Sequence, residues 1–350
     1  MKVVVRTDAS ITLGSGHLMR CLTLAGQLRA RSIEVVFVCR DIPGAMFEQI
    51  AELGHDCLRL PHAGDEIVTT ARDARETITA VRARFPDGVD WIIVDHYALD
   101  AVWESALRAH CRHIMVIDDL ADRRHDCDIL LDQNYYLDLE NRYVNLIPAQ
   151  CIALCGPAYT LLRPEFAEFR AKPRVRGREV RRMLVFFGGS DATNQTGKVL
   201  RALELQPLTH CRVDVVVGTS NPHRREIEDL CSRLPGIEYH CQVSNMAELI
   251  AQADLGVGAG GAAMWERCYL GLPTITVVFA DNQLQATEAA AAIGVIDYLG
   301  WATTLSIQDY ADAIGRLIET PGQRKDMEQA ALQLFQRTQA SAVEVMLSFA

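Results

Sequence analysis

Short β-branched runs, each closed by glycine or acidic residues and followed by a helix-like segment, recur from one end of this chain to the other. That alternation constrains the fold more than any other feature. Strand–turn–helix units lay successive strands parallel, and a parallel sheet needs helices on both faces, so the chain is predicted to be α/β. The opening unit sets the pattern: Val3, Val4 and Val5, then the stretch Arg6 to Arg20 (RTDASITLGSGHLMR), then an apolar segment from Leu18 to Leu28. In the first half, strands are expected at Lys2–Arg6, Glu34–Cys39, Trp91–Val94, His113–Ile117, Ile129–Asp132 and Cys151–Cys155. Helical pattern falls at Met19–Arg31, Met46–Leu53, Asp65–Phe85 and Trp103–Ala109.

The pattern breaks between Pro164 and Arg182, where Lys172 to Arg178 is basic, contains Pro and Gly, and lacks periodicity. Such a stretch reads as a solvated linker. At 350 residues the chain exceeds what a single core usually supports, so two domains are expected, 1–163 and 182–350, joined by 164–181. The second half repeats the first, with strands at Arg182–Phe187, Arg212–Val217, Ile237–His240, Leu255–Val257 and Thr274–Phe279. Helices are expected at about Thr193–Leu203, His223–Leu234, Asn245–Ala253, Met264–Tyr269 and Gln285–Ile293, and again from Ile307, the last able to pack back on the first domain.

Composition removes several classes of function. A net charge of −10 argues against a general nucleic-acid binder, which shows a basic surface. No run of about 18 apolar residues occurs and no signal peptide is recognisable, so a cytoplasmic protein that does not engage membranes is expected. The 11 cysteines include no C-x-x-C, and the Cys151–Cys155 spacing is poor for zinc, so buried, reduced thiols are expected. Asp126-Cys127-Asp128 matches the D-x-D of metal-dependent sugar transferases, but it precedes its strand and so falls at the wrong edge of the sheet. No metal is expected there.

Two stretches carry chemistry. Gly14 and Gly16 permit a tight turn at the carboxyl end of the first strand, and His17 stands at the helix entrance, where an imidazole suits general-base work. Met19 occupies the position of the third glycine of a dinucleotide fingerprint, which disfavours a nicotinamide enzyme. Polar clusters close three neighbouring strands: Asp95-His96-Tyr97, Asp118-Asp119 and Gln133-Asn134. In the second half, Gly258 to Ala263 leaves backbone N–H groups free at a helix start, the stronger of the anion-binding signals. Glu266, one turn on, suits the hydroxyls of a ribose, and the backbone near Val243 suits a base edge.

With these residues in view, the chain resembles the UDP-sugar hydrolases of bacterial pseudaminic acid biosynthesis, which act on UDP-2,4-diacetamido-2,4,6-trideoxy-β-L-altropyranose. The segments RTDASITLGSGHLMR, IIVDHYALD, VIDDLADRRHDCDILLDQN, FFGGSDATN and NMAELIAQADLGVGAGGAAMWERCYLGLPTITVVFADNQ carry the likeness, to about residue 290. The last is also similar to the UDP-N-acetylglucosamine transferase of peptidoglycan synthesis. The resemblance implies a GT-B fold, two Rossmann-like domains whose parallel sheets face across an interdomain cleft.

It further implies that His17 activates a water to attack the anomeric carbon with inversion, and that Tyr97 and Asn282 line the sugar pocket. Gly260, Gly261, Ala262 and Ala263 would form the diphosphate turn, Glu266 the ribose contact, and Val243 a main-chain contact to uracil. Gly14, Gly16, Arg20, Gly188, Gly189, Ser190 and Gln285 complete the expected substrate-binding set. Asp8, in the same loop as His17, is expected to orient the imidazole. No metal or cofactor is implied, the partner is the small-molecule UDP-sugar, and a monomer is expected. UDP is a good leaving group, so one base and donors to the diphosphate suffice, without the paired carboxylates of ordinary glycosidases. A GT-B transferase and a non-catalytic nucleotide-sugar binder remain the alternatives.

Overall fold

In the computed structural model, which describes residues 1–10, 14, 16–62, 64, 66–336 and 340–349, the alternation closes into two sheets whose paired strands all run parallel. Ile11, Thr12, Leu13 and Ser15 of the first motif, and Asp65, the expected start of a helix, lie outside the described residues. The chain divides into two compact units, Met1–Asn134 with Asp138–Leu161 and Gln339–Ala350, and Tyr135–Leu137 with Leu162–Thr338.

The first unit runs β1 (Lys2–Thr7), α1 (Gly16–Arg29), β2 (Glu34–Arg40), α2 (Phe47–Glu52), β3 (Asp56–Leu60), α3 (Thr70–Arg84), β4 (Val89–Asp95), α4 (Ala101–Leu107), β5 (Cys111–Ile117), β6 (Ile129–Asp132) and β7 (Ile152–Cys155). Its sheet has the order β3-β2-β1-β4-β5-β6-β7. Successive side chains of a strand face opposite ways, and β1 supplies both cores accordingly. Val3 and Val5 pack with Leu18, Leu24 and Leu28 of α1, whereas Val4 packs with Val81 of α3 and with Trp103 and Leu107 of α4. Each fully buried aliphatic side chain contributes roughly 1.5–3 kcal/mol relative to exposure.

The second unit runs α5 (Pro164–Ala171), β8 (Arg182–Phe186), α6 (Gln195–Leu205), β9 (Arg212–Val217), α7 (Arg224–Arg233), β10 (Ile237–Cys241), α8 (Met246–Gln252), β11 (Leu255–Ala259), α9 (Ala262–Tyr269), β12 (Thr274–Val278), α10 (Asp281–Ala292), β13 (Asp297–Trp301), α11 (Ile307–Glu319) and α12 (Pro321–Leu334). Its six-stranded order, β10-β9-β8-β11-β12-β13, repeats that of the first sheet without a counterpart to β7. A last helix, α13 (Ala342–Leu347), belongs to the first unit, where Val343 and Met346 join the core beneath α1.

Three elements depart from the sequence reading. The strands β3 and β13 were not expected, because both sit at sheet edges where one flank needs no apolar side chains; Asp-Cys-Leu-Arg-Leu alternates too weakly to announce itself. A helix, α5, occupies the start of the stretch expected to be linker, with Pro164 preset for the first helical turn. The basic run after it is not a solvated connector. Arg176 donates to the carbonyls of Ala253 at 2.9 Å and Gly271 at 3.0 Å and pairs with Glu328 at 2.8 Å. Arg174 pairs with Asp254 at 2.7 Å, and Arg170 donates to the carbonyl of Leu332 at 2.8 Å. Cations at helix ends satisfy carbonyls that have no intrahelical partner, which is why the segment is pinned to the second unit. Among the described residues, no helix is long and apolar enough to cross a membrane.

Candidate active site

In the first sheet the strand order reverses direction between β1 and β4, and the loops leaving those two strands part to opposite faces. The crevice this leaves at the carboxyl ends is where open α/β sheets bind ligands. Thr7 at the end of β1 sits opposite Asp95 at the end of β4. The chain leaving β1 turns into α1, whose second residue is His17, so the imidazole and the Asp95 carboxylate converge.

His17 Nδ1 lies 2.5 Å from Asp95 Oδ1. Arg20, one turn further along α1, donates from Nε to Asp95 Oδ2 and from Nη2 to Asp95 Oδ1, both at 2.6 Å, and from Nη1 to Asp119 Oδ2 at 3.0 Å. Burial alone would raise the Asp95 carboxyl, but the charge of Arg20 and then of His17 outweighs it and holds the group well below the usual carboxylate range. Asp95 is therefore an anion that only accepts. Nδ1 also lies 3.1 Å from Arg20 Nη2; with the proton on Nδ1 and donated to Asp95, the Nε2 lone pair of His17 is left for a base's work. The ring is fixed on its other side by Tyr97, edge-on at 4.4 Å between centroids. Burial and then the charge of Asp119 push the Tyr97 phenol well up, so it stays protonated and able to donate.

The expectation that Asp8 orients His17 is corrected. Asp8 accepts from Arg6 Nη1 at 2.6 Å, Arg6 Nη2 at 2.8 Å and the backbone N–H of Arg40 at 2.7 Å, and its Oδ2 stands 3.3 Å from His96 Nε2. Arg6 is fully buried, and a buried guanidinium holds its carboxylates close. Asp8 and Asp73 are those partners. Of the other polar clusters, Asp119 joins the site through Arg20. Asp118 is taken up by Arg123 at 2.9 Å and Tyr143 at 3.1 Å, and Gln133 accepts from the backbone of Leu161. Gly14 closes the turn by donating to the carbonyl of Ser10 at 2.9 Å, and Gly16 begins α1.

The second unit holds two glycine turns at its own reversal point, between β8 and β11, and they differ in one respect. After β8, beyond Gly188, Gly189 and Ser190, Asp191 accepts from the backbone of Gln195 at 2.8 Å and Thr196 at 2.9 Å and from the Thr196 hydroxyl at 2.7 Å. The α6 N-terminus thus already holds an anion. After β11, Gly261 precedes α9 with no side-chain cap, at φ +76, a conformation that side chains rarely adopt. The first-turn N–H groups of Ala262 and Ala263 have no intrahelical partner, and Gly261 has no side chain to cap them. The expectation for Gly260 is narrowed, because its N–H donates to the carbonyl of Val277 at 2.8 Å and fastens the loop to β12 instead.

Glu266 lies on α9 with Oε1 3.7 Å from Arg163 Nη2. Burial raises its pKa, against the opposing charges of Arg163 and Arg267. Asn282 and Gln285 occupy the first turns of α10, and Val243 packs, half-buried, against the core beneath α8. Gln283 between them was not anticipated. It accepts from the backbone of Phe279 at 3.1 Å, and a Cβ on Gly260 would come within 3.5 Å of it.

Two groups resemble metal ligands. Asp126 and Asp128 are both held by Arg108, at 3.0 and 2.6 Å, which occupies the oxygens a cation would need. Asp214, Glu238 and His240 cluster among the described residues, but Arg182 already pairs with Asp214 at 2.5 Å. Missed from the sequence were the pairing of Asp95 with His17 and that of Asp119 with Arg20. Local spacing carries no signal for Asp95, whose approach to His17 depends on β4 pairing with β1.

Residues 183–342 match the glycosyltransferase family 28 C-terminal domain. The chain is 24% identical over 283 residues to the UDP-2,4-diacetamido-2,4,6-trideoxy-β-L-altropyranose hydrolase of Campylobacter jejuni, covering 81% of this chain and 93% of that one. It is 27% identical over 291 residues to the uncharacterised protein MJ1062 of Methanocaldococcus jannaschii, covering 81% of this chain but only 57% of that longer relative. Among solved structures, MurG of Acinetobacter baumannii superposes with a TM-score of 0.66 at 13% identity, covering 99% of this chain and 98% of that one. The UDP-GlcNAc 2-epimerase of Neisseria meningitidis superposes with a TM-score of 0.57 at 14% identity, covering 100% of both. These likenesses establish the GT-B fold.

Proposed function

We propose that this chain hydrolyses a UDP-sugar by direct attack of water on the anomeric carbon, and that the sugar is 2,4-diacetamido-2,4,6-trideoxy-β-L-altropyranose on the route to pseudaminic acid. The observation that carries the reading is the His17–Asp95 pair. With Nδ1 held 2.5 Å from the buried Asp95 carboxylate, the opposite ring nitrogen, Nε2, is the one that accepts a proton in this reading. His17 Nε2 takes a proton from water as the new C–O bond forms at the anomeric carbon. The anomeric C–O bond to the diphosphate breaks, its electron pair leaves with UDP, and the configuration inverts.

In this reading the N–H groups of Ala262 and Ala263, with Gly261, take the diphosphate, Glu266 the ribose and Val243 the uracil, while Tyr97, Arg20, Asn282 and Gln285 border the sugar. One base contributes about 10²–10⁴ in rate, and amides aimed at the charge growing on the leaving group supply a further share. The kinship with a Campylobacter protein named for this hydrolysis supports the substrate.

The match of residues 183–342 to a transferase domain favours one rival, transfer of the same sugar to an alcohol. A single assay separates the readings. Pure protein given the UDP-sugar and no acceptor releases UDP and free sugar over many turnovers, and His17→Leu does not while still binding UDP. Donor left intact by the wild type supports the transferase, and equal turnover by His17→Leu removes His17 as the base.

A further inference from the structure

Beside the α9 N-terminus lies a cation that has no carboxylate partner. Arg267 is 2% exposed. Its Nε donates to Thr274 Oγ1 at 2.8 Å, and its Nη2 donates to the Ala259 carbonyl at 2.7 Å and lies 3.5 Å from Thr276 Oγ1. Its Nη1 has no partner among the described residues. The other buried guanidiniums are neutralised differently. Arg6, Arg20 and Arg40 each hold carboxylates at 2.6 to 2.7 Å, and Arg324 rests on the carbonyls that end α11. Of these five, Arg267 holds no carboxylate and lies beside a helix N-terminus, through the Ala259 carbonyl, where the peptide dipoles are also positive. Two positive fields coincide there, offset only in part by the neighbouring Glu266 carboxylate, an arrangement that favours the arrival of an anion.

Strand β11 makes room for this side chain. A Cβ at Gly258 would collide with the Phe186 carbonyl oxygen and come 2.8 Å from Arg267 Nη1, and one at Gly256 would meet Leu272 and Thr274 at 3.0 and 3.1 Å and Arg267 Cδ at 3.2 Å. Two glycines on one face of β11 leave room for the arginine as well as for the β8 backbone and for Leu272 and Thr274. Burial pulls the guanidinium down to about 10, against a smaller upward pull from Cys268 and Glu266, so it remains charged at neutral pH. Through the Ala259 carbonyl, the same side chain also sets the orientation of the loop that presents Gly261.

We infer that Arg267 is a positioning residue whose buried charge is the counter-charge for the diphosphate at the α9 N-terminus, making this site selective for nucleoside diphosphates over the uncharged nucleoside. This rests on the UDP-sugar reading. It acts from behind the loop, by its field and by fixing the loop, without touching the ligand.

The test is calorimetric titration of UDP and of uridine into the full-length wild type, Arg267→Lys and Arg267→Gln. Loss of the charge should weaken UDP about 10- to 100-fold and uridine by less than about threefold, while lysine retains most of the preference for UDP. A purely structural arginine would weaken both ligands alike and in both variants, and that result overturns the inference. Should Arg267→Gln fail to fold, Thr274→Asp puts an internal carboxylate against Nε. It should weaken UDP about tenfold relative to Thr274→Asn. Equal UDP affinity in that pair overturns the inference. Wild-type protein that binds no UDP overturns the UDP-sugar reading and this inference together, whereas UDP binding indifferent to Arg267 overturns this inference alone.

Discussion

Replacing Asp95 by asparagine keeps the shape of its contact with His17 and reverses its chemistry. An amide can donate to Nδ1, which moves the ring proton to Nε2, where the base is needed. Asp95→Asn should lower kcat by about 10²–10⁴ with UDP affinity little changed. Asp8→Asn should do the opposite. It strips a buried partner from Arg6, so thermal unfolding should show a loss of about 3–5 kcal/mol while kcat of the folded protein stays within a few-fold. Equal loss of kcat in both variants would contradict this division of labour. Which of the two acids faces the imidazole was not legible from the sequence. Asp8 is nearer along the chain, but the choice depends on β4 lying beside β1, which pairing decides and local spacing does not. His17 itself, at the start of a helix after a buried strand, was legible from spacing alone.

At the level of the element, the two glycine turns of the second unit show why a motif needs its surroundings. Both read as anion cradles. Asp191 fills one from within the chain, and the other is left open by Gly261. The fit of α9 to a nucleotide has a pH signature through Glu266. Burial raises its pKa, so the carboxylate proposed to accept the ribose hydroxyls is fully ionised only above that raised value. UDP binding should hold at neutral pH and weaken as pH falls, beginning above the ordinary glutamate value of about 4.3. Glu266→Gln should remove that limb, and because the nucleotide titrates identically in both proteins, the ratio of their dissociation constants isolates it. A ratio constant between pH 7 and about 4 would contradict the ribose role. The run Leu-Gly-Val-Gly-Ala of β11 was legible as a strand entering an anion turn, but not as room for Arg267. That room is defined by a side chain arriving from α9, and strand periodicity carries no trace of it. Edge strands β3 and β13 escaped for a related reason, since only one flank of each pairs and few of their side chains are buried.

Across the whole molecule, one order of six strands appears twice, with a seventh strand added in the first unit, and each unit has its candidate site residues where that order reverses. This much was legible from the alternation of runs, because parallel strands with helical crossovers admit few arrangements. The basic stretch from Lys172 to Arg178 was misread because composition reports charge and says nothing of the carbonyls that charge will meet. Hydrolase and transferase share the fold and the nucleotide half of the site, so the reaction turns on what attacks the anomeric carbon. Turnover of the UDP-sugar in ¹⁸O-labelled water, with both products analysed by mass, reads that directly. The label should enter the sugar at its anomeric hydroxyl and leave UDP unlabelled; label in the β-phosphate of UDP, or no turnover until an alcohol acceptor is added, would contradict attack by a water that His17 activates.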